Sequence, residues 1–414
     1  MKLRLTNVLV RKLLLCLYLT IPIFTWIFSR ILGVIGLARY GSDVVILMIM
    51  TIYVLLCLIE RKVLVPDFWL LYVLLTAFFA LTIVIHPEYE PWYTRDDFGV
   101  WEYVLRPDNG LFLFLFIRLV DNPKEIKDTF KFSAWLLYVL YLYQVMQAIT
   151  RGYWVDRTMK GYELHVSYNL SLGYSALIFV LVFLFDALEE KKVIDLVGSM
   201  IGIFIIVVAG SRGPFLDIAI FLVIYVMLKV RESRKKMILT ILIAAGTALL
   251  WNIVPYLIIG VSAVLEKYHL SSRMVTKILS GDILDNSGRS DIWSAAMEMI
   301  RKKPLGYGAM GSRHVITDII YVGHPHNFFL ELFIDFGVIV GSIIIIWLVL
   351  NTIRMFKMKD QDEWKGVFLI FFARACQLLL SATFWHSIGL WGVLAVGFCM
   401  NKAQKKRGID NVRQ

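Results

Sequence analysis

Charge is scarce in this chain. Only 18% of its 414 residues are Asp, Glu, Lys or Arg, against 59% hydrophobic, which excludes a soluble globular domain. Cysteine is scarce as well. Cys16, Cys57, Cys376 and Cys399 lie within or at the ends of apolar runs without CxxC spacing, so neither a disulfide framework nor a zinc site is indicated, and the four read as small core residues. No internal repeat, inverted symmetry in helix length or low-complexity tract is evident, which counts against carriers built from repeats. The first apolar run follows a basic start, but it is long, holds Pro22 and Trp26 and lacks a small-residue cleavage site. It is expected to remain as a membrane span rather than leave as a signal peptide.

What the chain has in abundance is apolar blocks close to the ~20 residues that cross a bilayer. Spans are expected at 13–37, 43–59, 67–85, 100–120, 130–150, 167–186, 193–209, 214–229, 236–259, 326–353, 365–383 and 386–400. These describe an all-α polytopic membrane protein, a bundle of about twelve transmembrane helices. The placement of Lys and Arg tests that reading, because short cytoplasmic loops collect them. With the N-terminus inside, every inner segment is basic, from Lys2, Arg4, Arg11 and Lys12 to Lys402, Lys405, Lys406, Arg407 and Arg413, while the short outer connections near 40, 90, 155, 212 and 385 hold few. Both termini are therefore expected in the cytoplasm. Membrane orientation also accounts for the net charge of +11, and no nucleic-acid partner is needed. Residues 1–259 read as a nine-helix membrane region, 260–325 as a large, partly helical outer loop, 326–400 as a three-helix membrane region and 401–414 as a basic tail.

The expected outer face collects the chemistry. Ser211-Arg212-Gly213 lies between two apolar runs; an arginine there reads either as an interfacial anchor or as a site for an anion. In the loop, Ser287 is a candidate N-cap for a helix whose stripe is Trp293, Ala296, Met297 and Ile300. Arg289 then falls in the first turn, Arg301, Lys302 and Lys303 at the C-terminal end, and Pro304, Gly306, Gly308 and Gly311 stop the helix. Free backbone N–H groups and Arg289 would meet at a place suited to phosphate; pairing of Arg289 with Asp291 or Asp285 is the plainer alternative. His326 follows at the outer mouth of the tenth span, where an imidazole suits proton removal near pH 7 and equally a hydrogen-bonding role at a helix start. His324 and His326 form an H-x-H pair with no third ligand at sensible spacing, so no metal or other cofactor is expected. Arg157, Lys160 and His165, before the sixth span, are candidates for contact with substrate, or simply solvated. Trp293 and Tyr307 read first as packing groups and second as stacking platforms for a ligand. Glu331 and Asp335 share a face at the outer end of the tenth span. Glu331 there could orient His326 or hold an acceptor, whereas Asp335 is expected to pair with Arg374 of the eleventh span.

In order along the chain, Ser211-Arg212-Gly213, Gly288-Arg289 with Trp293, Pro304-Leu305-Gly306-Tyr307-Gly308, and His326-Asn327 with Leu330, Glu331 and Gly337 resemble the O-antigen polymerase and O-antigen ligase superfamily of bacterial polysaccharide enzymes. The likeness covers roughly residues 165–345 by motif. It implies a metal-independent glycosyltransferase of the bacterial inner membrane, with an outer catalytic loop, acting on glycans carried by polyprenyl diphosphate. In that setting Arg212 and Arg289 would steady the departing diphosphate, because guanidinium groups bind phosphate oxygens bidentately, and His326 would deprotonate the acceptor hydroxyl. Asn327 and His324 would join the substrate contacts. One base and direct displacement would invert the anomeric centre. The length of chain before the motifs favours a polymerase over a ligase, with membrane lipid, a flippase and a chain-length regulator as partners. A transporter of lipid-linked sugar is the competing class, and it should tolerate loss of His326 far better than an enzyme.

Overall fold

The computed structural model describes residues 2–60, 63–157, 163–166, 169–211, 213–230 and 289–413, together with 238, 241 and 267, and is about 81% helical. Its contacts divide the chain into two units. One comprises Met1–Ile21, Phe28–Ile126 and Asn286–Gln414, the other Pro22–Ile27 and Lys127–Asp285.

The helices run α1 (Lys2–Leu19), α2 (Ile21–Gly33), α3 (Gly41–Ile59), α4 (Pro66–Ile85), α5 (Glu90–Tyr93), α6 (Gly110–Val120) and α7 (Pro123–Arg151). A hairpin of β1 (Trp154–Arg157) and β2 (Glu163–Val166) follows, then α8 (Leu170–Glu190), α9 (Val193–Ala209) and α10 (Gly213–Lys229). The remainder is α11 (Arg289–Lys302), α12 (Arg313–Ile316), α13 (Phe328–Lys357), α14 (Asp362–Ala375) and α15 (Ile388–Arg413). Among the described residues five helices are long and apolar enough to cross a membrane, or six if α1 and α2, bent by 69°, count as one span. Pro22, at the start of α2, explains the bend, since it lacks an N–H and clashes with the preceding turn.

These spans fall where apolar blocks were expected, but several expected spans take another form. The block at 100–120 is a π-helical turn, Trp101–Leu105, followed by the 11-residue α6. Pro107 breaks it, holding Arg106 in extended geometry (φ −67°, ψ 141°), as a residue before proline prefers. The block at 365–383 leaves α-helix at Ala375 for a 3-10 turn over Cys376–Leu379. The expected span at 236–259, apart from residues 238 and 241, and the candidate cap Ser287 lie outside the described residues. The hairpin, antiparallel with Trp154 opposite Val166, departs from an all-α fold.

Pairings within each unit sort by side as the charge pattern does. In the first, segments read as cytoplasmic meet through Arg11–Glu60 at 2.8 Å, Arg118–Asp67 at 2.6 Å and Lys402–Asp121 at 2.5 Å. Segments read as outer meet through Arg106–Asp43 at 2.9 Å and the His386 ring stacked on Tyr103 at 4.6 Å. In the second unit Lys127 and Lys131 share Asp186 at 2.5 and 2.6 Å, and Lys229 pairs with Glu189 at 2.7 Å. At the other end of those helices, Asn169 N–H donates to Ala209 O at 3.1 Å and Ser211 Oγ to Leu170 O at 3.1 Å.

Two apolar clusters of the first unit carry the loop. One joins Phe79, Tyr93, Val104, Met310, Leu332 and Trp385; the other joins Ile292, Ala296, Met299, Tyr307, Ile316 and Ile334. The buried stripe of α11 is therefore Ile292, Ala296 and Met299, with Trp293 and Ile300 at its edge and Met297 exposed. The expected stripe was rotated because both sets keep helical spacing; docking on Ile334 and Ile316 selects between them.

Candidate functional site

The site is built on a break in α13. Gly337 has φ 79° and ψ 166° inside that helix, a conformation essentially restricted to glycine. A break strands backbone groups, which must find other partners. The segment after α11 supplies them: Tyr307 N–H donates to Ile334 O at 2.7 Å, Gly308 N–H to Asp335 O at 3.1 Å, and Val338 N–H to Pro304 O at 2.8 Å. So close an approach leaves no room for side chains. A Cβ on Gly337 would stand 2.5 Å from the Leu305 carbonyl carbon, and one on Gly306 would stand 2.6 Å from Gly337 N.

His326 sits in the turn just before α13. Asn327 caps the helix, its side-chain oxygen accepting from Phe329 N–H at 3.0 Å and Leu330 N–H at 3.2 Å. His326 itself takes φ 51°, a left-handed conformation that non-glycine residues adopt at a cost. Its N–H donates to His324 Nδ1 at 3.4 Å, and the two rings meet edge to face at 4.2 Å. Trp293 Nε1–H donates to Pro325 O at 3.0 Å, tying α11 to the turn, and Ser312 Oγ–H donates to Gly323 O at 3.0 Å. Burial, and then the neighbouring Arg289 charge, push the His326 pKa down to about 4. His324 is held well below its ordinary value by burial first, then by His326 and Arg313. Both rings are thus neutral at pH 7, and His326 Nδ1 has no hydrogen-bond partner among the described residues.

The other candidates divide. Arg289 opens α11, close enough to His326 for its charge to be felt there. Tyr307 is buried, with its hydroxyl donating to Met299 O at 3.2 Å, so it and Trp293 are packing and positioning groups. Glu331, 2% exposed, accepts from the Thr383 hydroxyl and from Phe384 N–H at 3.2 Å. Asp335 accepts from Trp385 Nε1–H at 2.8 Å, and Arg374 donates to Gln377. The residue missed from sequence is Arg313. It is 3% exposed, donates to Phe98 O and lies 5.4 Å over the Tyr103 ring, with Glu331 and Asp335 among the charges acting on it. Its uncharged neighbours Ala309, Met310, Gly311 and Ser312 were the available signal that it turns inward, unlike Arg301 to Lys303. In the second unit, Arg157 lies opposite Glu163 in the hairpin and the exposed His165 stacks on Tyr153 at 4.1 Å. Arg212 and Lys160 lie outside the described residues.

Residues 197–346 match the O-antigen ligase family model. The match runs from within α9 past the break in α13, and it contains Arg212, Arg289, Trp293, Tyr307, His324, His326, Asn327 and Glu331; Arg157, Lys160 and His165 fall before it. It bears out the resemblance to the O-antigen ligase and polymerase superfamily and supports an enzyme of that type. No curated protein and no solved structure matches the chain.

Proposed function

We propose that the chain is a polysaccharide polymerase, transferring a glycan from polyprenyl diphosphate to a hydroxyl of another lipid-linked repeat unit at the outer face of the bacterial inner membrane. The observation that carries this reading is a half-buried His326, its Nδ1 unpartnered among the described residues, in the turn before α13 and near enough to Arg289, at the first turn of α11, to feel its charge. Glycosyl transfer needs a proton acceptor for the incoming hydroxyl and cationic donors for the leaving diphosphate, and the two groups supply one of each. Arg212 joins Arg289 as the second diphosphate ligand. His324, Asn327 and Trp293 fix the turn that carries the base; Glu331 binds the acceptor or acts through the Thr383 turn; Arg157, Lys160 and His165 contact sugar or diphosphate. No step calls for a metal. A flippase would deliver the substrates and a chain-length regulator would limit the product.

The second reading, ligation of the glycan to a lipid A core sugar, is favoured by the description of the matching family. Surface glycan from a strain lacking the gene separates them. A single repeat unit left on the acceptor marks a polymerase, whereas loss of all attached glycan with accumulation of lipid-linked chains marks a ligase. Unchanged surface glycan in that strain would remove both.

A further inference from the structure

Beside the His324 turn lies an aromatic and charged group that the reaction above does not use. Helix α5 carries Trp92 and the segment after it Arg95 and Asp97, and Tyr321 reaches them from the loop that leads to His324. The Arg95 guanidinium lies 4.2 Å over the Tyr321 ring and 5.5 Å over the Trp92 ring. Arg95 Nε–H donates to Asp97 Oδ1 at 3.1 Å, and the Tyr321 hydroxyl donates to Asp97 Oδ2 at 2.6 Å. Tyr321 is 60% exposed, yet its ring is fixed at one face and at its hydroxyl. A surface side chain already held in this way has little rotamer entropy left to lose on binding.

We propose that Tyr321, Trp92, Arg95 and Asp97 form a platform for one sugar ring of the glycan undergoing transfer, a proposal that rests on the glycan-transfer reading. A pyranose presents a face of C–H bonds, suited to the electron-rich face of an aromatic ring, and a rim of hydroxyls. Those hydroxyls donate to a carboxylate and accept from a guanidinium; Asp97 stands here at the hydroxyl end of the Tyr321 ring and the Arg95 guanidinium over one of its faces. Arg95 Nη2 is buried beneath the surface and has no hydrogen-bond partner among the described residues, so a side-chain shift would be needed to bring it to a sugar hydroxyl. Burial alone would raise the Asp97 pKa, but hydrogen bonds from Tyr321 and Arg95 hold it below its ordinary value, so the acceptor is an ionised carboxylate. That charge also turns away phosphate, which leaves the diphosphate to Arg289. The platform joins the site directly. Phe98, next to Asp97, gives its carbonyl to Arg313, and Phe98 packs edge-on against both Tyr321 and Tyr103. It also supplies the role that the half-buried Trp293 and the buried Tyr307, held as packing groups, do not.

The test uses purified full-length protein and, as probe, the lipid-free repeat-unit oligosaccharide released by mild acid from the host's own surface polysaccharide. Saturable quenching of tryptophan fluorescence is expected with the wild type. Tyr321→Ala should weaken it about tenfold, and Tyr321→Phe, which keeps the ring and loses only the bond to Asp97, should stay within about threefold. Equal affinity in wild type and Tyr321→Ala, or no saturable binding by the wild type, would overturn the platform. Transfer assayed on the same preparations answers the separate question: wild type that binds the oligosaccharide but transfers no lipid-linked glycan removes the polymerase and ligase readings and leaves the platform standing. Where transfer proceeds, a raised KM in Tyr321→Ala for donor alone or for acceptor alone identifies the glycan that occupies it.

Discussion

At the scale of single residues, the proposed reading must explain how an imidazole with a pKa of about 4 would serve as a base near neutrality. It is unprotonated and ready, but intrinsically weak, because the best general bases titrate close to the working pH. One of its two depressing influences is the Arg289 charge, and a bound diphosphate would compensate that charge. The base should strengthen when its substrate arrives. The acid limb of kcat/KM, which reports free enzyme, is therefore expected near pH 4, and that of kcat should lie higher; coincident limbs would argue against the coupling. Arg289→Gln should move the His326 pKa upward but not fully to its ordinary value, since burial persists, and proton NMR titration of the ring would measure it. His326→Ala should cost about 10²-fold in transfer with donor binding kept, while a loss within about threefold would exclude His326 as base. The depressed pKa also has a stability consequence. The unfolded chain takes up a proton near pH 6.5 and the folded one only near 4, so the contribution is constant at higher pH and turns against folding as pH falls through that window. Arg289 and His326 were legible in sequence because each stands at the end of an apolar helical pattern. Arg313 was not, since its inward turn depends on Phe98 and Tyr103, more than two hundred positions away in the chain.

At the scale of elements, the glycines carry more than punctuation. Gly306 and Gly308 read correctly as helix stops, but their purpose is visible only against Gly337, where three hydrogen bonds replace those lost at the break. Gly337→Ala should therefore cost on the order of 1–3 kcal/mol from backbone strain alone, and more from the clash with Leu305, because carbonyl carbon cannot swing aside as a side chain can. A thermal melt of the purified protein should show it; an unchanged midpoint would mean that the break relaxes. Trp293→Phe keeps the apolar contact and loses the bond to Pro325. It should lower stability by about 1 kcal/mol and lower kcat more than it raises KM. Helix positions were largely readable from apolar block length. Less readable were the interruption at Pro107, where composition stays apolar on both sides, and the hairpin at Trp154–Val166, too short for a periodic signal.

At the scale of the whole molecule, sidedness is the property that the chain encodes most openly. Basic residues mark one face, and contacts within each unit join segments assigned to the same face, as with Arg11–Glu60 and Arg106–Asp43. A cysteine at Leu305, which is 83% exposed, should react with a membrane-impermeant maleimide in cells with permeabilised outer envelopes, whereas a cysteine at Lys402 should react only after the inner membrane is opened. The reverse pattern would invert the topology. The break at Gly337 then sets a height. Irregular backbone is tolerated in lipid only where protein covers it, and from the break to Lys357 about 20 residues remain, some 30 Å of helix, one hydrocarbon core. If the break lies at the bilayer surface, the turns from Phe328 to Phe336 form a pedestal that lifts His326 by at most roughly 13 Å above the oil. On the proposed reading, a diphosphate tethered to a lipid tail would ride at headgroup level, and the length of this pedestal, rather than any side chain, would determine how far from the bilayer surface each new glycosidic bond is made.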